Sequence, residues 1–459
     1  MHKLRQRIFS NLSKNNINLQ TLIHYKTFKE KYKFLKKSQW WSKQNIQKYQ
    51  MQELSKLLKH CYEHVPYYTK MFDKIDLKPK NIQSLSDMQK LPFLTKKLIK
   101  ENLEDLKATN YPKNSFECFR TGGSTGQPLN FYIERGVTLS NQMAFAKLWM
   151  NWTDRNYLDK CVFITGDDKP FRYRMLGRTL VLSSFFMNDK YMPIFIDKIR
   201  KLKPKHIISY PSAITNLAIY MKKNNFENFP SVNIIVCFAE TIYDWQRDLL
   251  ENFFQCRVHN QYGLREPVAL GGSCEYKNYY HMFPEYGIVE LIGKEDLPIT
   301  EEGQIGEIVC TSFISHIFPF IRYRTNDIGV YTYKKCKCGR NYPLLERIEG
   351  RLQEHLVSKT NQLINLIGLY GLIAKSSLNV KECQLYQDTK GEVVINIVKG
   401  RNYSEIDTKT ILKNFQKKLG DDFSLSINFV NKVILTPIGK YKFLIQKLPI
   451  NSTHLMYKM

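Results

Sequence analysis

The sequence reads TGGSTGQP at residues 121–128, with three glycines and three hydroxyl side chains in its first six positions. Glycine lets backbone N–H groups turn toward an anion, and hydroxyls add further donors. The stretch lacks the Gly-Lys-Ser/Thr ending of a Walker A loop and the GxGxxG of a Rossmann turn. Two interpretations remain open: a tight hairpin turn, or a phosphate cradle formed by Thr121, Gly122, Gly123, Ser124, Thr125 and Gly126.

The segments around this glycine cluster show an α/β rhythm. Strands are predicted on either side of it, at residues 116–119 and 129–133, and buried strands follow at 161–165, 206–209 and 233–238. Helical stretches separate the buried strands, which is typical of an α/β domain. Residues 287–333 instead alternate apolar and polar side chains with repeated glycines, which predicts an antiparallel or barrel-like sheet. A β-rich tail with helices runs from residue 352 to the end.

Length and composition predict a globular protein with a large and a small domain. The chain has 459 residues, of which 43% are hydrophobic and 24% charged, and a single core rarely grows so large. We expect a basic helical N-terminal segment at 1–60, a large domain at 61–351 and a small domain at 352–459. Because the sequence shows neither an apolar run of membrane-spanning length nor a secretory signal, we expect a cytoplasmic protein whose ten cysteines are thiols or metal ligands.

The net charge of +27 has several interpretations. Nucleic acid, an anionic membrane surface and polyanionic substrates are all suitable partners, and a coding bias toward lysine would produce the same excess. The charge is uneven, since residues 1–50 carry 12 Lys or Arg against one acid, Glu30. This segment could contact the inner membrane surface peripherally, or it could form an ordinary solvated helix.

Three further segments carry side chains suited to nucleotide chemistry. In QYGLRE, at residues 261–266, Tyr262 offers an aromatic face for a base, Gly263 allows close approach, and Glu266 is a hard oxygen ligand for Mg²⁺. In RYRTND, at residues 322–327, the Asp327 carboxylate could bind vicinal ribose hydroxyls. In TPIGKY, at residues 436–441, Lys440 lies on a glycine-bearing loop. Each segment alone could be an ordinary surface turn.

The order and spacing of these segments resemble those of the adenylate-forming superfamily of acyl-CoA synthetases and ligases. The likeness is strongest to phenylacetate–CoA ligases and the CapK-like branch associated with capsular polysaccharide biosynthesis, and it runs from about residue 60 to the end. The resemblance also matches CFAETI, with Glu240, to the adenine-side segment and IEGR, with Arg351, to the hinge. It implies an α/β fold whose large multi-sheet N-terminal domain includes a β-barrel-like subdomain, followed by a small, mobile α+β C-terminal domain.

The same resemblance implies a two-step reaction. A small carboxylic acid attacks the α-phosphate of ATP to give an acyl-adenylate, and the acyl group then passes to an acceptor, with coenzyme A as the leading candidate. Residues 121–126 would hold phosphates, Glu240, Tyr262 and Gly263 the adenine, and Asp327 and Arg351 the ribose. Glu266 and Lys440 would be catalytic, Glu266 as the Mg²⁺ ligand and Lys440 as the bridge between carboxylate and α-phosphate.

Several alternatives remain open at the level of sequence. The acceptor could be an amine, a sugar or a protein thiol. In a different class, the chain could be a basic, non-catalytic binding protein on a decayed ligase fold, although we expect no specific nucleic-acid partner. Three departures from the family pattern bear on this: Gly122 replaces a common serine, Asn326 replaces a glycine, and Gln353 replaces an acidic hinge residue. Asparagine tolerates left-handed backbone, so the turn at 326 can persist.

Four further side chains form a separate group of candidate soft metal ligands. Three thiols and one imidazole are a full tetrahedral set for structural Zn²⁺, and the resemblance supports that interpretation. The alternative is a group of ordinary reduced thiols and a solvent-facing histidine. The residues are Cys274, His281, Cys336 and Cys338.

The acyl pocket is the least readable part of the sequence. Four aromatic side chains and the two residues after one of them could line it, but such residues are more often part of the core. They are Trp149, Trp152, Tyr210 and Phe238, with Pro211 and Ser212 following Tyr210.

Overall fold

A computed structural model describes residues 25–120, 129–351, 355–360, 363–366, 369–377, 379–435 and 441–450 of the chain. It opens with helices that are started by recognisable caps: Ser42 accepts a hydrogen bond from Asn45 N at 3.2 Å, and Pro66 occupies the first turn of the third helix. The four N-terminal helices are α1 (Tyr25–Ser38), α2 (Lys43–His64), α3 (Pro66–Lys74) and α4 (Lys96–Glu101).

The N-terminal helices belong to the large domain rather than to a separate segment. The predicted boundary at residue 60 falls inside α2. Leu54, Leu57, Leu58 and Cys61 on one face of this helix are completely buried, and they join the core cluster that also contains Tyr262 and residues of the antiparallel strands. The charged and polar residues of α2 lie on its opposite, solvent-facing side. Because these residues dominate the sequence pattern, the sequence suggested a separate basic segment.

One twelve-stranded sheet forms the centre of the large domain, in the order β11-β12-β13-β14-β10-β9-β8-β7-β6-β3-β5-β4. Its parallel part contains the strands predicted at residues 161–165 and 206–209, and helices cover it as expected for crossover connections. One further strand, β4, pairs antiparallel at the outer edge of this part. The strands are β3 (Cys161–Thr165), β4 (Phe171–Arg174), β5 (Thr179–Ser183), β6 (His206–Ser209), β7 (Ile234–Phe238) and β8 (Arg257–Gly263). The helices are α5 (Val137–Trp152), α6 (Met192–Leu202), α7 (Pro211–Lys223) and α8 (Asp244–Phe254).

The antiparallel part of the sheet was predicted as a barrel-like subdomain at residues 287–333. Its meander is present, but β14 pairs with β10 and so continues the parallel strands as one sheet. The strands are β9 (Leu270–Gly272), β10 (Tyr280–Met282), β11 (Gly287–Ile292), β12 (Ile305–Ser312), β13 (Tyr323–Thr332) and β14 (Leu344–Arg351).

A separate hairpin brackets the glycine-rich stretch. Strands β1 (Phe116–Arg120) and β2 (Asn130–Glu134) pair antiparallel, with Arg120 opposite Asn130. This register brings the two ends of the 121–128 segment together. The residues of the predicted cradle, 121–126, lie outside the described part of the chain.

The C-terminal residues form a small α+β unit. Two helices, α9 (Leu369–Ser376) and α10 (Glu405–Leu419), pack on a four-stranded sheet of order β19-β18-β17-β20. Val357 and Ile450 of this unit pack against Ile328 of β13. The strands are β15 (His355–Val357), β16 (Leu363–Asn365), β17 (Val380–Gln387), β18 (Glu392–Lys399), β19 (Ser424–Phe429) and β20 (Leu444–Gln446).

None of the described helices combines the length and apolarity that a bilayer crossing requires. Of the basic segment predicted to contact a membrane, residues 1–24 lie outside the described part of the chain. Residues 25–50 fall in α1 and the first part of α2, where Leu35 and Ile46 are buried against α5 and the surrounding core. The membrane contact stays a prediction.

Replacing Leu57 by alanine tests whether α2 is part of the main core. Because the side chain is fully buried, Leu57→Ala should lower the free energy of unfolding by about 2–5 kcal/mol, measured by urea denaturation. The matched control is Ser55→Ala on the exposed face of the same helix, which should change it by less than about 0.5 kcal/mol. Equal effects would mean that α2 is a peripheral attachment.

Candidate active site and metal centre

Two carboxylates from distant segments lie at the centre of the candidate site. The Tyr262 hydroxyl, at the end of β8, donates to Asp327 Oδ2 on β13 at 2.8 Å. In the reverse direction, the Tyr323 hydroxyl on β13 donates to Glu266 Oε1, just after β8, at 3.0 Å. This reciprocal pair links two strands that are separated by three others in the sheet. The sheet therefore curls until β8 and β13 face each other.

The side chains that form these two hydrogen bonds are almost inaccessible to solvent. Glu266 is 5% exposed and Asp327 7% exposed, while Tyr323 is fully buried. Burial, with a smaller effect from Asp327, raises the pKa of Tyr262 well above that of a free tyrosine. The hydroxyl therefore keeps its proton at all physiological pH values and acts as a donor to the carboxylate.

Backbone geometry on β13 and β14 places the two predicted ribose residues side by side. Asp327 and Arg351 are register partners in the antiparallel ladder. Asn326 has a φ of 61°, so the left-handed turn predicted for this asparagine is present. Its N–H donates to Glu307 Oε1 at 3.1 Å, which fixes the turn.

Glu240 connects three elements. It follows Ala239, whose φ of 65° is unusual for a residue with a side chain and turns the chain sharply after β7. The Glu240 carboxylate accepts hydrogen bonds from Ser212 N at 3.0 Å and Ser212 Oγ at 3.1 Å, at the start of α7. A negative charge at a helix N-terminus is favourable. Tyr441 N, in the C-terminal unit, also donates to Glu240 Oε1, at 3.2 Å.

The phosphate-loop and lysine motifs lie outside the described residues, but the residues that flank them are described. The guanidinium of Arg265 lies 5.2 Å from the centre of the Phe119 ring, so the hairpin carrying residues 121–128 adjoins the Glu266 segment. Leu435 and Tyr441, which flank the segment containing Lys440, form an antiparallel bridge. Of the predicted site residues, the structure thus brings Glu240, Tyr262, Gly263, Glu266, Asp327 and the backbone of Arg351 to one end of the curled sheet.

Sequence reasoning missed two residues that hold this site. Tyr323 and Ser212 each bond a predicted site carboxylate. Tyr323 lies within the quoted RYRTND motif, so its hydroxyl was a visible signal, whereas Ser212 was considered only as a pocket-lining candidate. Both bonds join residues far apart in sequence, and only the tertiary fold reveals them.

The four soft ligands converge on one buried point. Their ligand atoms all lie within 4.8 Å of one another. Cys274 Sγ is 3.4 Å from Cys336 Sγ, and His281 Nε2 is 3.2 Å from Cys338 Sγ. The His281 Nδ1 atom lies 3.3 Å from the Tyr279 carbonyl oxygen, which orients the ring. The alternative of a solvent-facing histidine is wrong, because His281 is completely buried.

The electrostatics of the cluster favour a thiolate at Cys338. The hydrogen bond between Cys274 and Cys338 lowers the pKa of the Cys338 thiol, with the His281 imidazole acting in the same direction, and the same bond raises the pKa of Cys274. Thiolates are the ligand form that zinc binds. The set is therefore chemically suited to a divalent metal.

The four aromatic acyl-pocket candidates fall into two groups. Trp149 and Trp152 pack in the core beside the cysteines, with Trp149 Nε1 donating to Ser273 O at 2.8 Å, so they are structural. Tyr210 and Phe238 lie 5.1 Å apart between ring centres, near the carboxyl ends of β6 and β7. Their position is beside Glu240, on the active-site edge of the sheet.

The fold is shared with solved CoA ligases that carry bound acyl-adenylates. A 2-hydroxyisobutyryl-CoA ligase, solved in the postadenylation state with 2-HIB-AMP, superposes with a TM-score of 0.71. It shares 17% identity, over 87% of this chain and 89% of that one. An anthranilate CoA ligase with bound anthranoyl-AMP superposes with a TM-score of 0.51 at 14% identity, over 73% of this chain and 67% of that one.

The sequence relatives carry the names of the branch that the motifs predicted. Protein CapK of Staphylococcus aureus is 25% identical over 87% of this chain and 89% of its own length. A phenylacetate-coenzyme A ligase of Thermus thermophilus is 24% identical over 69% of this chain and 72% of its own. The family model of the CapK C-terminal domain matches residues 356–447. The predicted resemblance to the CapK and phenylacetate–CoA ligase branch is confirmed.

Removing the Tyr262 hydroxyl tests the link between β8 and β13. Tyr262→Phe leaves Asp327 buried without this donor, so the free energy of unfolding should fall by about 1–3 kcal/mol in urea denaturation. Tyr333→Phe, at an exposed tyrosine just beyond β13, is the matched control and should have little effect. If both variants unfold like the wild type, the hydrogen bond to Asp327 does not stabilise the site.

Proposed function

We propose that the protein activates a small carboxylic acid with ATP as an acyl-adenylate and transfers the acyl group to an acceptor. The observation that carries this proposal is the reciprocal link between Tyr262–Asp327 and Tyr323–Glu266. It holds one carboxylate suited to a metal ion and one suited to ribose hydroxyls at the same end of the sheet. The Thermus thermophilus relative is named a phenylacetate-coenzyme A ligase, and the two superposed structures are CoA ligases with bound acyl-adenylates.

The barrier to adenylation lies in bringing a carboxylate against a triphosphate. Positive charge and oriented N–H donors lower it. Glu266 would bind Mg²⁺ through a buried carboxylate whose orientation Tyr323 fixes. Asp327, with Arg351 as its cross-strand partner, would hold the ribose, and Tyr262 and Gly263 would border the adenine. Residues 121–126 would bind the phosphates that leave.

Lys440 would reach the α-phosphate from the C-terminal unit. Support comes from its neighbour Tyr441, whose backbone N–H bonds Glu240 at the adenine-side segment. The bridge between Leu435 and Tyr441 places the two residues that flank the 436–440 segment next to each other. A lysine in that loop would lie close to the nucleotide in this domain arrangement. A rotation of the small unit would then withdraw it before acyl transfer.

Coenzyme A is the acceptor we favour. Two relatives are named as coenzyme A ligases, and one superposable structure contains CoA with the adenylate. The relative named CapK supports a place in surface or capsular polysaccharide formation, in which case an amine, a sugar or a protein thiol would be the acceptor. Product analysis with CoA, hydroxylamine and amino sugars separates these possibilities.

We also propose that the Cys/His cluster binds a structural Zn²⁺. A tetrahedral zinc with Zn–S bonds of about 2.3 Å separates its sulfurs by about 3.8 Å, which the 4.8 Å envelope accommodates. The ligands come from the segment before β10, from β10 itself and from the loop between β13 and β14. Zinc would thus fasten together the strands next to β8 and the turn beyond Asp327.

The alternative of another class is a basic, non-catalytic protein on the same fold. The net charge of +27 favours it. The buried, hydrogen-bonded carboxylates disfavour it, because a site without a nucleotide has no need to bury two acids at one point. Salt-dependent oligonucleotide binding in the absence of any pyrophosphate exchange would favour the alternative.

Pyrophosphate exchange over a panel of carboxylic acids tests the proposed activity. Lys440→Ala should leave ATP binding close to normal and lower exchange by about 10²-fold or more, because it removes a transition-state contact. Glu266→Gln should lower exchange and weaken its Mg²⁺ dependence. The matched control is Lys432→Ala, an exposed lysine of the same unit, which should exchange normally. Undiminished exchange in Lys440→Ala would refute the role of this lysine.

Metal analysis tests the zinc centre independently of activity. The purified chain should carry about one zinc, and Cys336→Ser should lower the zinc content at least about tenfold and destabilise the fold. Cys118→Ser, at an exposed cysteine of β1, is the control and should keep the metal. A wild type that neither contains zinc nor gains thermal stability from it would contradict the assignment.

A further inference from the structure

A second cavity lies at the opposite edge of the parallel sheet from the candidate active site. Its volume is about 500 Å³, and it is bordered by the amino-terminal ends of β6 and β7, at His206 and Ile234. The end of α5 and the loop that follows it supply the other wall. In α/β sheets the active site lies at the carboxyl ends of the strands, as Glu240 and Tyr262 do here. This cavity is therefore separate from the proposed nucleotide site.

A buried arginine that makes no ion pair with any described residue lines this cavity. Arg155 is only 6% exposed, and its guanidinium lies 4.6 Å from the centre of the Trp149 ring. Its Nε donates to Thr153 Oγ1 at 2.8 Å, but within the described ranges its buried Nη2 has no hydrogen-bond partner. A buried guanidinium that lacks an acceptor is costly, and such groups are usually paired. An anion would supply the missing acceptor.

The nearby carboxylates do not fill this role. Asp159 accepts from the backbone N–H of Asn156 at 2.9 Å and pairs with Lys205 at 3.4 Å. Asp154 also borders the cavity, but it is exposed. Neither carboxylate hydrogen-bonds Arg155, so the positive charge in the wall is not cancelled locally.

The remaining lining is suited to a polar anionic molecule. Besides Arg155, it includes Lys147, Lys205 and the buried imidazole of His206. Burial, assisted by Arg155, lowers the pKa of His206 to about 4, so the ring is neutral and offers one N–H donor and one acceptor. The amide side chains that complete the lining are Asn151, Asn156 and Asn233.

We propose that this cavity is a binding site for a small, polar oxyanion, either a carboxylate or a phosphate ester, with Arg155 as its principal ligand. An arginine fork binds either group through paired N–H donors. The volume falls within the range of small-molecule sites. The lining is polar apart from Ile234, which favours a hydroxyl-rich or amide-rich body over an apolar one. The site stands on its own geometry and does not depend on the proposed adenylation.

Calorimetric titration of the full chain tests the site with two probes, inorganic phosphate and succinate, at constant ionic strength. At least one should bind wild type saturably, with a Kd of about 1 mM or tighter. Preference between the probes distinguishes a phosphate ligand from a carboxylate ligand. Because phosphate can also enter the nucleotide site, the site is identified by the difference between wild type and cavity variants.

Two variants and one control provide that difference. Arg155→Gln keeps a polar group beside Thr153 and removes the charge, and it should weaken binding at least about tenfold. Lys147→Glu places a negative charge in the partly exposed rim, so it is safe for folding and should also weaken binding. Lys201→Glu, an exposed lysine on α6, should bind like the wild type. Either of two results would overturn the proposal. The first is that the wild type shows no saturable binding. The second is that folded Lys147→Glu, and Arg155→Gln if it folds, bind the probe as tightly as the wild type does.

Discussion

The two tyrosine–carboxylate hydrogen bonds between β8 and β13 are the constraint on which the site depends. Glu266 and Asp327 are buried, and a buried carboxylate without donors is strongly unfavourable. Asp327 on β13 accepts from Tyr262 of β8, and Glu266, just after β8, accepts from Tyr323 of β13. The two hydrogen bonds therefore join the β8 side of the site to β13, and the twelve-stranded sheet curls far enough to bring them together. The same curl places the β1–β2 hairpin, through Phe119 and Arg265, beside the segment that carries Glu266.

Much of this arrangement could be predicted from the sequence, because it rests on local patterns. Buried strands such as residues 161–165 appear as short apolar runs, and Asn326 appears as a residue that tolerates positive φ. The contributions of Tyr323 and Ser212 could not be predicted, since each depends on which distant strand or helix ends meet. The boundary at residue 60 was wrong for a related reason: one face of α2 is charged, and the buried face belongs to a core assembled from residues over two hundred positions away.

Some of the positively charged side chains form ion pairs and aromatic contacts inside the protein. Arg322 makes a two-pronged ion pair with Glu290, at 3.2 and 3.0 Å, and donates to the Leu91 carbonyl at 2.7 Å. The Phe93 ring lies 4.1 Å from the guanidinium carbons of both Arg322 and Arg324. The arginines of the RYRTND segment therefore fasten the helical N-terminal region to β13, and they are not available to an external polyanion. Net charge is a poor guide to partners when buried arginines contribute to it.

Trp149 connects the two edges of the sheet. One face of its indole supports Arg155 at the second cavity, and its Nε1 donates to the carbonyl of Ser273, the neighbour of the metal-ligand candidate Cys274. Gly272 has to be glycine, because a Cβ there would lie 2.5 Å from the same nitrogen. Ser273 Oγ in turn accepts from the N–H of Asn260 on β8, two residues before Tyr262. The position of β8, and with it the donor to Asp327, is thus set by packing that includes the wall of the second cavity. An anion paired with Arg155 would stabilise that wall. The contacts of Trp149 with Arg155 and with Ser273 connect the wall to β8.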